Sequence, residues 1–335
     1  MKETLSKLLG HEHLNLDEAE RAADAIMGGE ATPSQIAGVL VALRMKGETA
    51  DEVAGFVKSM RRHSVQIRVD DPNAVDSVGT GGDGAGSFNI STAAGLVAAA
   101  TGVTVAKHGN RSITSKCGAA DLLEATGGQI DPGPDKVTES INKVGFGFMF
   151  APRFHPAMRH ALPVRRELGT RTVFNILGPM TNPAGVRRLL LGVYDKALMP
   201  LMADVLAMTG AERVMLVHSH DGLDEISISA PTDYLEVDGD AKRIGTIIPE
   251  DTGLKTLPRG AVAGGDPATN LKILNALLDG EKSAYRDVVV LNAGAVMQVA
   301  GQVETVADGV AAASDVIDNG KARKLLNAWV KATRL

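Results

Sequence analysis

The sequence predicts an α/β protein: a small N-terminal helical domain, then a larger domain whose central, mostly parallel sheet is flanked by helices. Three observations predict this. Two helix-start signatures with helical apolar spacing fall within the first sixty or so residues. From residue 74, short β-rich runs alternate with Ala/Leu-rich helical runs, the pattern of parallel strands joined by covering helices. A glycine-rich segment follows the first of those runs, at a strand-to-helix turn.

The elements follow in order. Thr32-Pro33-Ser34-Gln35 is a capping box with Pro at the first helical position, where its missing N–H costs nothing. Ile36, Val39, Leu40 and Leu43 continue at i, i+3, i+4, i+7, and Gly47 is placed to stop the helix. Ala37, Gly38, Val41 and Ala42 make its other faces apolar too, so burial on two sides is expected, against the rest of the chain or a second subunit. Thr49-Ala50-Asp51-Glu52 opens another helix, with Val53, Phe56, Val57 and Met60 as its stripe. Beyond it, residues 74–78, 103–106, 147–150, 189–194 and 214–217 read as strands. Residues 91–100, 197–208, 266–278 and most of 305–330 read as helices. The division expected is 1–72 for the helical domain and 73–335 for the α/β domain, consistent with about 100–200 residues per domain.

Composition narrows the function. A net charge of −5 opposes a general electrostatic grip on nucleic acid or anionic membrane, and 7 Phe, 3 Tyr and 1 Trp are too few for a base-stacking platform. One cysteine makes neither a disulfide framework nor a Cys-based zinc cage. Met1-Lys2-Glu3-Thr4-Leu5 contains no apolar signal core, and no run approaches the ~18 residues of a membrane span. A soluble cytoplasmic protein is expected.

Two segments carry the chemistry. In Gly79-Thr80-Gly81-Gly82-Asp83-Gly84-Ala85-Gly86-Ser87 the glycines permit positive φ and close approach to a ligand. The helix starting near Asn89 or Ser91 offers free N–H groups to a phosphate. A merely tight connection is the plainer alternative. Gly79, Gly81 and Gly84 match the spacing of a dinucleotide fingerprint, but that motif needs an acid ~20 residues on. Lys107 and His108 stand there instead, and no Gly-Lys-Ser/Thr follows Gly84, so both nucleotide motifs fail. The second segment, Lys107-His108-Gly109-Asn110-Arg111, reads as a flexible basic turn that strand order brings beside the glycine loop, able to clamp anionic oxygens. Ser112, Thr114 and Ser115 add hydroxyls. Further on, Asp224-Glu225 offers adjacent hard-oxygen ligands of a kind that suits Mg²⁺, although an acidic loop pair can equally be only solvated. His218-Ser219-His220 lacks both helical spacing and an evident third ligand for zinc.

These blocks, with Phe154-His155-Pro156-Ala157-Met158, Arg171-Thr172-Val173-Phe174-Asn175-Ile176-Leu177-Gly178-Pro179 and Asp221-Gly222-Leu223-Asp224-Glu225, resemble the anthranilate phosphoribosyltransferase family. The likeness runs in the family's order along essentially the whole chain. It implies transfer of a phosphoribosyl group from phosphoribosyl pyrophosphate (PRPP) to the amine of anthranilate, a step of tryptophan synthesis. It further implies two Mg²⁺ ions per subunit with PRPP bound, a homodimer joined through the N-terminal helices, and a segment near 165–185 returning to the helical domain. PRPP contacts are implied for Gly79, Gly82, Asp83, Ser87, Asn89, Ile90, Ser91, Thr92, Ala119 and every residue from Lys107 through Ser115: His108, Gly109, Asn110, Arg111, Ser112, Ile113 and Thr114. Anthranilate contacts are implied for Gly79, Asn110 and Arg165, with His108, His155, Gly178 and Pro179 lining the pocket. The metal is assigned to Ser91, Asp224 and Glu225. No residue must act as general base; His108 is the candidate. The family commonly has serine where this chain has Cys117 and Ala119. Two rival readings fit the sequence less well. A pyrimidine nucleoside phosphorylase lacks its usual serine-glycine-arginine and histidine-threonine-glycine-glycine runs here. A non-catalytic, nucleic-acid-binding relative is opposed by the charge and by the retained Arg165 and Asp224-Glu225.

Overall fold

The computed structural model describes residues 1–112 and 115–334. Ile113 and Thr114, both implied PRPP contacts, therefore lie outside the described residues. Four helices open the chain: α1 (Lys2–Leu9), α2 (Leu16–Met27), α3 (Pro33–Lys46) and α4 (Ala50–Arg62). Both expected capping boxes form, Thr32 with Gln35 and Thr49 with Glu52, and a third joins Asn15 to Glu18. Gly47 ends α3 at φ 87°, a conformation that glycine adopts without a Cβ penalty.

The sheet and its helices follow: β1 (Val75–Gly79), α5 (Ile90–Ala100), β2 (Val105–Gly109), α6 (Ala119–Ala125), α7 (Pro134–Val144) and β3 (Phe146–Phe150). Three short helices, α8 (Ala151–Phe154), α9 (Leu162–Leu168) and α10 (Phe174–Leu177), precede β4 (Arg188–Gly192) and α11 (Met199–Met208). Then come β5 (Arg213–Ser219), β6 (Thr232–Asp238) and β7 (Ala241–Ile247), and finally α12 (Pro267–Leu278), α13 (Ala284–Ala300), α14 (Val306–Asp318) and α15 (Lys321–Arg334). The strand order is β3-β2-β1-β4-β5-β6-β7; the first five are parallel and the last two antiparallel.

Side chains alternate along strands, so each central strand feeds two cores. Val75, Leu190, Met215 and Val217 face α5 and α13, with α14 packed outside them. Leu189, Leu191, Val214 and Leu216 face α11 and the N-terminal helices. The stretch between α9 and β4 packs on those same helices. Phe174 meets Phe56 edge-on at 5.9 Å, and Arg61 Nε donates to the Met180 carbonyl at 2.9 Å. Burial of α3 is uneven. Val39, Leu40 and Leu43 are fully buried, whereas Ala37, Gly38 and Val41 are only partly covered and Met45 is 76% exposed.

Candidate active site

The ends of the parallel strands form the site because topology turns there: β1 sits centrally, with β2 on one side and β4 on the other. Ligands of open α/β sheets bind outside the carboxyl ends of strands at such a reversal. Beyond β1 the backbone runs through Gly81, Gly82, Gly84 and Gly86 at φ 67°, 81°, 69° and 62°. Among the described residues, the Gly82, Asp83 and Gly84 N–H groups have no acceptor. The loop is pinned at its far end, where Phe88 N donates to Val262 O at 2.9 Å and Gly264 N to Gly86 O at 2.8 Å. The Asn89 side chain does not cap α5. It donates to Cys117 O at 3.0 Å and accepts from Asn270 at 2.8 Å. The open helix end receives Glu225 instead, with Ser91 N donating to its Oε1 at 3.1 Å.

Asp224 crosses the ends of β1 and β4, and two glycines make room for it. A Cβ on Gly79 would lie 2.5 Å from Asp224 Oδ2, and one on Gly192 would lie 1.6 Å from the Asp224 carbonyl oxygen. Gly81 N donates to Asp224 Oδ2 at 2.7 Å. Burial, then Glu225, then Asp83 push the Asp224 carboxyl well above the usual range. Burial raises Glu225 to about 7, against the pull of Lys107 and Ser91. Carboxylates crowded this way favour a bound cation. No group of three His, Cys, Asp or Glu forms a ready-made cage among the described residues. That donor set fits Mg²⁺, which keeps several waters and completes its shell on substrate phosphates.

The basic segment differs from the flexible turn expected. Lys107, His108 and Gly109 belong to β2, and Lys107 is 2% exposed. Its ammonium donates to the Ser77 carbonyl and to Ser91 Oγ at 3.4 Å. Burial lowers its basicity while Asp76 and Glu225 support its charge. A buried lysine survives here because acids flank it, and none of those partners is near it in sequence. Asp76, itself fully buried, accepts His108 N at 3.3 Å and Asn182 Nδ2 at 2.7 Å.

Arg111 is already engaged. It pairs with Asp121 at 2.8 Å and Glu124 at 2.7 Å and lies over the Phe150 ring, so it is no free clamp in this conformation. Asp121 also accepts Ser112 N and Gly118 N, which ties both of these residues to the start of α6. His108 fits poorly as a general base: burial, and secondarily its neighbour His155, lower it to about 3. The two rings are 5.0 Å apart, and the Nε2 atoms of both are buried without a partner among the described residues. Cys117 is buried, with its thiol pushed up to about 11, as befits a packing residue.

A cleft of about 680 Å³ unites these parts. Gly79, Gly82, Asp83, Ser87, Asn89, Ile90, Ser91, Lys107 through Ser112, Ser115, Ala119, Asp224 and Glu225 all line it. Thr92 lies one position beyond this lining, buried in α5. Arg165, His155, Gly178 and Pro179 do not line it: His155 touches it only through His108, and Arg165 lies over Phe174 at 5.3 Å, partly buried. Arg171, Asn175 and Tyr194 do line it and were not singled out from sequence. Arg171 was legible only as a cation within a family-like block.

Comparison with known proteins agrees with this geometry. A family model described as "Glycosyl transferase family, helical bundle domain" matches residues 2–64, and one described as "Glycosyl transferase family, a/b domain" matches residues 71–323. The anthranilate phosphoribosyltransferase of Afipia carboxidovorans is 48% identical over 99% of this chain and 98% of its own. The crystal structure of anthranilate phosphoribosyltransferase from Thermus thermophilus superposes with a TM-score of 0.94 at 44% identity, covering 99% of each chain. The Saccharomyces cerevisiae enzyme in complex with PRPP and Mg gives a TM-score of 0.91 at 28% identity, covering 99% of this chain and 97% of that one. Sequence, fold and cleft together make this chain a member of the anthranilate phosphoribosyltransferase family.

Proposed function

We propose that this enzyme transfers the phosphoribosyl group of PRPP to the amine of anthranilate. The products are N-(5-phosphoribosyl)anthranilate and pyrophosphate, in the second step of tryptophan synthesis from chorismate. The observation that carries this reading is the meeting of the Gly79–Ser87 loop, the end of β2 and Asp224-Glu225 on one cleft. An aromatic amine is a weak nucleophile, so departure of pyrophosphate supplies much of the driving force. Donors aimed at the leaving group therefore matter most. The unpaired N–H groups of Gly82, Asp83 and Gly84, with the start of α5, bind and orient the diphosphate. Lys107 keeps a fixed positive charge beneath it. Asp224, Glu225 and Ser91 would hold Mg²⁺, which when bound neutralises charge growing on pyrophosphate.

Anthranilate enters opposite, toward Asn110 and His108. Arg165 serves its carboxylate once the helical part (residues 1–72 with the stretch near 165–185) closes on the rest (73–335), which also keeps water from the reacting carbon. His108 stays neutral and shapes the pocket, since an amine already bonded to carbon loses its proton readily. The enzyme works in the cytoplasm as a homodimer. Apolar side chains left exposed on α3 and on two helices packed against it support that assembly: Leu9 at the end of α1, Met45 on α3 and Leu162 on α9. The test follows anthranilate fluorescence with PRPP and Mg²⁺. PRPP-dependent loss of signal is expected for the wild type and not for Asp224→Ala/Glu225→Ala; no loss in the wild type removes the assignment.

A further inference from the structure

We infer that Arg171 is a positioning residue for the diphosphate loop, a role that rests on the PRPP reading above and goes beyond the contacts it assigns. Three observations meet at this side chain. Its Nη2 donates to the Gly82 carbonyl at 2.6 Å. Its guanidinium lies 3.9 Å from the centre of the Tyr194 ring, within range of a cation–π contact. Tyr194 is itself tied to the same loop, because its N–H donates to Thr80 Oγ1 at 3.0 Å while Thr80 N donates to Gly192 O at 2.9 Å. Arg171 is thus held flat between the segment after β4 and the glycine loop after β1, although it comes from neither.

The consequence follows from peptide geometry. In a trans peptide the C=O and N–H point in opposite directions. Holding the Gly82 carbonyl on Arg171 turns the Asp83 N–H the other way, and that N–H has no acceptor among the described residues. Gly82 sits at φ 81°, where a glycine peptide flips easily, so without the guanidinium the carbonyl can rotate and present an oxygen to the diphosphate. Arg171 acts through the loop on binding of the diphosphate, in ground and transition states alike. Its loss raises KM without lowering kcat.

The experiment compares Arg171→Met, Arg171→Lys and Tyr194→Leu in steady-state kinetics. Pyrophosphate binding with Mg²⁺ is measured in parallel by calorimetry. One charge-assisted hydrogen bond at an exposed site predicts a rise of about three- to tenfold in the KM for PRPP for Arg171→Met. A matching loss of pyrophosphate affinity is expected, with kcat and the KM for anthranilate within about twofold of wild type. Lysine restores part of the affinity, because it donates but does not stack. Tyr194→Leu weakens PRPP binding less, and its effect is not additive with Arg171→Met. An unchanged KM for PRPP, or a fall in kcat with both KM values unmoved, overturns the assignment. A wild type that consumes no PRPP defeats the functional reading instead, so the two failures are distinguishable.

Discussion

Replacing Gly79 by alanine tests whether Asp224 must sit where the structure holds it. The new Cβ would stand 2.5 Å from Asp224 Oδ2 and 3.2 Å from its Cγ. Reaching an ordinary contact of 3.4 Å requires the oxygen to retreat by roughly 0.9 Å. The backbone cannot give way instead, since Gly79 is paired with Gly192 in the sheet and the Asp224 carbonyl presses on Gly192. Such a retreat breaks the 2.7 Å bond from Gly81 N, a hydrogen bond to a charged group and worth about 1.5–3 kcal/mol. It also moves an oxygen assigned to the metal. Mn²⁺ titration with PRPP present should show affinity reduced by about tenfold or more, with the KM for PRPP rising in parallel. Gly95→Ala is the control. Its Cβ would make only an ordinary 3.5 Å contact with Val105 Cγ1, and in the middle of α5 alanine stabilises by about 0.5–1 kcal/mol. If Gly79→Ala binds Mn²⁺ and PRPP as tightly as the wild type, the placement of Asp224 has no bearing on the site and the argument fails.

Three further outcomes are expected. Lys107→Met leaves Asp76 and Glu225 buried without their cation and should cost about 3–5 kcal/mol in urea unfolding; a loss under about 1 kcal/mol contradicts the buried-counterion role. Burial depresses His155 from its ordinary 6.5 to about 4, so the unfolded chain takes up the proton first. Its contribution is nearly complete above pH 7 and declines as pH falls toward 4, by about 1.5 kcal/mol between pH 6.5 and 5; His108 is depressed as well, so His155→Phe should remove only the His155 share of that slope, and an unaltered slope refutes it. Ala119→Ser places a hydroxyl at the start of α6 on the cleft, and one neutral hydrogen bond of about 0.5–1.5 kcal/mol should lower the KM for PRPP two- to tenfold; a KM that stays put or rises shows the hydroxyl does not reach.

What the sequence revealed depended on whether the signal was local. Capping boxes and the glycine run are local chemistry, so both capped helices and the β1–α5 turn were legible to within a residue or two. α13 was not, because Val288–Val299 is almost wholly apolar and buried at every position but Gln298, leaving no stripe to read. β7 was missed for the opposite reason: as an edge strand it exposes nearly every residue and has no buried face to alternate with. In the site, Lys107 read as part of a flexible anion clamp, not as a buried strand residue, because the acids that let it be buried come from β1 and from the loop after β5. Arg171 gave no local sign beyond its place in a family-like block. Its meaning lies in a carbonyl and a ring that only the fold brings to it.

The most direct measurement is a crystal structure of the enzyme with PRPP and Mn²⁺ as an anomalous marker for the metal. Manganese peaks bonded to Asp224 or Glu225 and to pyrophosphate oxygens are predicted, with the diphosphate lying against the N–H groups of Gly82–Gly84. Manganese held by water and phosphate alone, or a diphosphate bound away from that loop, would contradict the account.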